Sequence, residues 1–168
     1  KLVFNENDWD TLENNEYPCY LLDLNHVKIS RAGNKLHSYL RLGRKQQIDL
    51  RYKCAVRNKW YQVPNISTPA KGLFFKRCHQ YPKLLKNAAG AYSTDSAYMV
   101  DTLPQYDINS LIYSFYNSLT LLFAELEGRY YGGGVLELTP MEFKNLPLPY
   151  ISIKDNTFHA FAKRFEKK

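Results

Sequence analysis

Four histidines (His26, His37, His79 and His159), three cysteines (Cys19, Cys54 and Cys78) and three consecutive glycines (132 to 134) are the residues of this 168-residue chain whose types could do chemistry. A metal needs converging ligands, and only Cys78-His79 brings two ligand types together; adjacent side chains of a strand diverge. The cysteines are odd in number, widely spaced and form no CxxC, so they read as buried small side chains in a reducing compartment. The glycines fit neither the GxxxxGK[ST] spacing of a phosphate cradle nor the GxGxxG of a dinucleotide site, and no serine sits in a nucleophile elbow. The sequence therefore predicts a binder, with no catalytic, cofactor-binding or metal-binding residue.

The binding chemistry is concentrated in the middle of the chain. Residues 26 to 86 hold fifteen lysines and arginines and one acidic residue, Asp49, whereas residues 1 to 25 hold one basic and six acidic side chains and residues 87 to 150 two and seven. A segment of one sign draws in a polyanion, and nucleic acid is the natural one. Carboxylates to hold Mg²⁺ beside DNA are nearly missing there, which argues against a nuclease. The other reading scatters these cations over several faces, where they only keep the protein dissolved.

The elements that must position these residues follow from periodicity. "YPCYLLDL" (17 to 24) reads as a short buried strand, and 33 to 47 as a basic helix broken near Gly43, carrying Arg41, Arg44 and Lys45. From 51 the pattern alternates: Tyr52, Cys54 and Val56 share one face, Arg51, Lys53 and Arg57 the other, with "WYQV" extended as far as Pro64. "GLFFKRC" and "SAYMVDTL" are further strands, and "NAAGAYSTD" between them a loop. Asp107 caps one long core helix to about 127, whose apolar stripe from Ile108 through Leu119, Leu122 and Leu126 is read as packing, closed by Gly128 as a left-handed cap. Thr139-Pro140 opens a helical turn, "LPLPY" is extended, and Phe158, Phe161 and Phe165 mark a terminal helix. The class expected is α+β, with mixed or antiparallel sheets on the helix at 108 to 127. No run approaches the roughly 18 residues of a membrane span.

"DLRYKCAVRNKWYQVP", "FFKRCHQYPKLLKN" with "STDSAYMV", and "INSLIYSFYNSLTLLFAELEGRYYGGGVLELTPMEFKNLPLP" resemble the C-terminal specificity region of bacterial adenine-specific DNA methyltransferases with a TaqI-like target-recognition domain. The likeness runs from about residue 17 to 150 and is most specific at "GRYYGGGVLEL". It implies a bacterial cytoplasmic domain that reads duplex DNA around a target adenine. A catalytic domain of the same polypeptide, part of a restriction-modification system, would bind S-adenosylmethionine and transfer the methyl group. No Asn-Pro-Pro-Tyr segment is present and the chain opens at Lys1, so the expectation is a recognition domain (1 to 150) with a basic amphipathic tail (151 to 168), the catalytic half and its cofactor lying elsewhere. An interaction module whose basic face docks on acidic protein, or whose helix at 108 to 127 packs on a catalytic partner, is the alternative.

The expected DNA contacts are Arg41, Arg44 and Lys45 on the basic helix, Arg51, Lys53, Arg57, Lys59 and Tyr61 on the alternating segment, and Lys76 and Arg77 after "LFF". Trp60 is expected in the core and Arg57 at a base edge. Gly132, Gly133 and Gly134 read as a place where bare backbone approaches a DNA phosphate or the catalytic domain, with Arg129 and Tyr131 reaching the same partner. A hairpin turn needing positive φ is the other reading.

Overall fold

The computed structural model describes residues 1–64, 66 and 68–166, the side chain of Glu166 excepted. In chain order the elements are β1 (Val3–Phe4), α1 (Glu6–Asn14), a 3-10 turn (Ile29–Arg31), α2 (Asn34–Lys45), α3 (Tyr52–Ala55), β2 (Gly72–Phe75), β3 (Arg77–Cys78), β4 (Lys83–Asn87) and β5 (Ala97–Val100). There follow α4 (Ile108–Phe115), α5 (Ser118–Glu127), β6 (Arg129–Tyr131), β7 (Val135–Glu137), α6 (Pro140–Lys144) and α7 (Asp155–Glu166). The class is α+β, as expected. The chain forms two compact units, Lys1–Pro18 with Thr68–Lys168, and Cys19–Ser67. Phe158 of α7 is buried in the core of the larger unit.

The larger unit holds both sheets. One is four-stranded in the order β1-β4-β2-β5, with β1 parallel to β4 and the other pairs antiparallel; the second is antiparallel, β3-β7-β6. β2 lies between β4 and β5 and is covered on both faces, burying Gly72, Leu73 and Phe74 in succession. The Phe74 ring stacks on Phe143 at 4.1 Å and meets Phe115 edge-on at 5.9 Å, tying sheet to helices around Leu84, Ile112, Ala124 and Leu138. Tyr116 pins the end of α4 to β4: its hydroxyl donates to the Leu84 carbonyl at 2.8 Å, and burial pushes its phenol pKa well up.

The helix expected to run unbroken from 108 to 127 is two. Tyr116 (φ −85°, ψ 66°) leaves the helical region, and extended Asn117 caps α5. Its Oδ1 accepts from the Thr120 N–H at 3.0 Å, while Nδ2 donates to the Ser114 carbonyl at 2.6 Å and to Thr120 Oγ1 at 2.7 Å. After this break the buried side of α5 is Thr120 and Ala124, and Leu119, Leu122 and Leu126 face outward, so the stripe read as packing is packed only along α4. The two small residues allow close approach, and the Thr120 hydroxyl donates to the Pro147 carbonyl at 2.6 Å. Gly128 is extended (φ −77°, ψ 168°), not left-handed: it is glycine because a Cβ there would lie 2.5 Å from Leu136 Cδ1 and 2.7 Å from the Ala124 carbonyl oxygen.

Two expected strands are absent. Residues 17 to 24 take no regular structure, and Tyr17, Tyr20, Leu21 and Leu22 are exposed, so the run expected to be buried is not. The alternating segment instead folds locally as α3 and turns, leaving Tyr52 82% and Val56 70% exposed, so the face expected to be buried is not. β4, by contrast, carries no strand signal in the sequence, because "KLLKN" does not alternate.

Candidate nucleic-acid interface

The unit Cys19–Ser67 contains ten lysines and arginines against two aspartates, Asp23 and Asp49. Its frame is slight. Leu24 and Leu40 are buried, and the Asn25 side chain joins the two ends of the unit, donating from Nδ2 to the Val63 carbonyl (2.8 Å) and accepting the Val63 N–H at Oδ1 (3.2 Å). Trp60 lies against Gly43 of α2, where an added Cβ would stand 2.4 Å from its Cη2, and its indole meets Tyr61 edge-on at 5.6 Å. α2 therefore passes unbroken through Gly43; the glycine is the seat of the indole and not a helix stop. Trp60 packs as expected, though only half-buried.

α2 turns Leu36, Leu40 and Gly43 inward, and at 100° per residue this leaves Asn34, Ser38, Arg41 and Lys45 in one outward arc, all exposed. Arg41 Nη2 donates weakly to Ser38 Oγ at 3.4 Å. Arg44 flanks this arc, also exposed, and Arg51, Lys53 and Lys59 are exposed around α3 and the turn after it. Asn34 and Ser38 had no place among the sequence-derived candidates, although the i, i+4, i+7, i+11 spacing with Arg41 and Lys45 was there to find. Arg57 is half-buried and acts within its own loop: Nη1 donates to the Gln62 carbonyl at 2.6 Å, and the Gln62 side chain accepts from the Lys59 N–H at 3.2 Å. It braces the turn that carries Lys59.

The candidates of the larger unit behave differently. Lys76 pairs with Asp95 at 3.0 Å, Arg77 with Glu137 at 2.6 Å, and Arg129 with Glu142 at 2.7 Å. Arg77 and Arg129 stand opposite Glu137 from either side in the β3-β7-β6 sheet; Arg77 takes Glu137, and Arg129 takes Glu142 from the start of α6. Alternating signs make this ladder neutral, and each guanidinium is held more firmly protonated, first by its hydrogen bond to the carboxylate and then by the charge. Glu142 is held below the usual carboxyl range chiefly by the Thr139 N–H, which donates to it at 2.7 Å within a capping box. Among the described residues, the ion pairs are these three and Lys1–Asp8, so none of the ten cations of Cys19–Ser67 takes part in one.

Gly132 to Gly134 connect β6 to β7 as a hairpin loop, in which Gly133 (φ 78°) and Gly134 (φ 74°) take the left-handed conformation and Gly132 does not. Tyr131 is exposed beside them, and nothing lies within 4 Å of a Cβ added at any of the three. The turn thus accounts for two glycines and the ladder for Arg129, while Gly132 is under neither constraint. Among the described residues, no helix is long and apolar enough to cross a membrane, and no three His, Cys, Asp or Glu side chains cluster as a metal site would need.

Comparison with curated proteins finds no match, and neither does comparison with solved structures. A family model does match. It is described as the C-terminal domain of the type II methyltransferase M.Eco57I and covers residues 1–168, and the chain belongs to that family.

Proposed function

We propose that the chain recognises duplex DNA for an adenine-specific methyltransferase of a restriction-modification system, working in the bacterial cytoplasm. In this reading S-adenosylmethionine and the methyl transfer belong to the catalytic domain of the same polypeptide, and this domain is not itself an enzyme. The observation that carries it is the unit Cys19–Ser67: ten cations, two carboxylates and, among the described residues, no ion pair to neutralise any of them. Cations paired within the protein, like those of the β3-β7-β6 ladder, have less to offer a phosphate. Arg41, Arg44, Lys45, Arg51, Lys53 and Lys59 are free to neutralise the backbone, and the arc of Asn34, Ser38, Arg41 and Lys45 has the donor groups that read base edges. Arg57 contributes by holding its loop, with guanidinium N–H groups left for DNA. Membership of a methyltransferase C-terminal family supports the same reading.

Binding to a random duplex pool, followed by selection at moderate salt, tests it. Base readout persists where phosphate attraction fades, so one sequence motif should be enriched, and log K should fall by about 0.9 per neutralised phosphate for each unit of log salt. Arg41→Ala with Lys45→Ala should lower that slope. Affinity that does not change with salt, or a pool recovered without enrichment, would overturn the proposal.

A further inference from the structure

We propose that the outer face of α5 is where the catalytic part of the methyltransferase packs against this domain. Leu119, Leu122 and Leu126 recur at i, i+3, i+7 and are 46, 54 and 69% exposed, while the opposite side of the same helix buries Thr120 and Ala124. Single exposed leucines are ordinary; three in register on one helix are a face that lacks a cover. The β6-β7 hairpin extends it, because the hydroxyl of exposed Tyr130 contacts the Glu125 carboxylate near the C-terminal end of α5.

Charge selects the occupant. Glu125 and Glu127 rim the stripe, and residues 87 to 150 carry only two basic side chains, Arg129, which is paired with Glu142, and Lys144. A phosphate backbone would be repelled here, so the cover is protein. A second copy would set one acidic rim against another, and three leucines with a tyrosine fall well short of the roughly 800 Å² per partner that a free-standing interface takes. A partner on the same polypeptide needs much less, since linkage supplies an effective concentration of about millimolar. The chain belongs to a family described as the C-terminal domain of a methyltransferase, and the remainder of such an enzyme is a partner of this kind. The surface that fits is apolar with a basic rim. This inference rests on the family and on α5, and not on DNA binding by Cys19–Ser67.

Leu122→Cys and Leu126→Cys, made singly in the full-length methyltransferase and labelled with a maleimide, test it, with labelling followed peptide by peptide in a mass spectrometer. The reference is the rate for the same enzyme unfolded in urea. Both replaced side chains are exposed, so the fold should survive in at least one variant. The expected result is labelling at least about tenfold slower than the reference, unchanged by enzyme concentration or by added duplex. Labelling at the unfolded rate would overturn the proposal. So would protection that grows with enzyme concentration, which would mark a second copy, or protection that appears only with duplex, which would mark DNA. Loss of DNA binding by the domain would leave these rates unmoved, so the two proposals fail separately.

Discussion

Gly128, Gly132 and Gly133 lie close together in the chain, yet an added methyl group should have a different consequence at each. At Gly128 the Cβ would stand 2.5 Å from Leu136 Cδ1, 2.7 Å from the Ala124 carbonyl oxygen and 3.2 Å from that of Glu137. Leu136 is 4% exposed, and the Ala124 carbonyl already accepts the Gly128 N–H at 3.0 Å, so neither neighbour can withdraw freely. Overpacking of this kind costs about 1 to 3 kcal/mol, less about 0.4 to 1 kcal/mol that the exchange returns through a less disordered unfolded chain. At Gly133 the space is open but φ is 78°, and a left-handed alanine costs about 1 to 2 kcal/mol, offset by about 0.4 to 1 kcal/mol from a less disordered unfolded chain. At Gly132 neither penalty applies and only that gain remains. Urea unfolding should therefore rank the alanine variants Gly132, Gly133, Gly128 from most to least stable, with Gly132→Ala at or above the parent, judged by midpoints at constant m. A parental midpoint for Gly128→Ala would refute the close-contact argument. The same series tests the backbone-approach reading of the loop, because Gly132→Ala leaves the turn intact: weaker duplex binding at an unchanged midpoint would place a contact on bare backbone, and unchanged binding would remove Gly132 from the DNA face.

Gly43→Ala should destabilise the unit Cys19–Ser67 through collision with the Trp60 ring, by about 1 to 3 kcal/mol less the roughly 1 kcal/mol by which alanine favours a helix. In a Trp60→Ala background the same substitution should stabilise, and a loss in both backgrounds would clear the indole of blame. Asn117→Ala should cost about 1 to 2 kcal/mol in urea unfolding by removing the α5 cap, and Asn117→Asp should recover part of it by restoring the acceptor but not the Nδ2 donations; equal losses would show that the cap is not what holds the second helix. The Glu142 carboxyl is depressed in the folded state, so its contribution is full above the ordinary glutamate value and is lost as pH falls through the lower folded value. Glu142→Gln should then flatten the acid limb of stability against pH, and a curve parallel to the parent's would remove Glu142 from the explanation.

Several elements were legible because their causes are local. Asp107 and Thr139-Pro140 begin α4 and α6 with their own side chains, and Leu36 and Leu40 with the surrounding cations define α2. Phe158, Phe161 and Phe165 likewise announce α7, and the apolar "GLFF" and "AYMV" announce β2 and β5. The charge segregation was plain in the sequence too, since it needs only counting. What depended on distant residues was not legible. Alternation at 51 to 57 describes a strand only if a ladder partner exists, and among the described residues the segment has none. Periodicity along 108 to 127 says which leucines share a face; the Asn117 cap and the Thr120–Pro147 bond decide which side of α5 is covered. Arg77 and Arg129 look like free cations in the sequence, and only the fold brings Glu137 to Arg77 across the β3-β7 pair and Glu142 to Arg129 from α6. Composition and capping act over a few residues and survive in a linear text, whereas strand pairing, burial of a chosen face and charge compensation depend on which distant segments meet, and tertiary structure alone decides that.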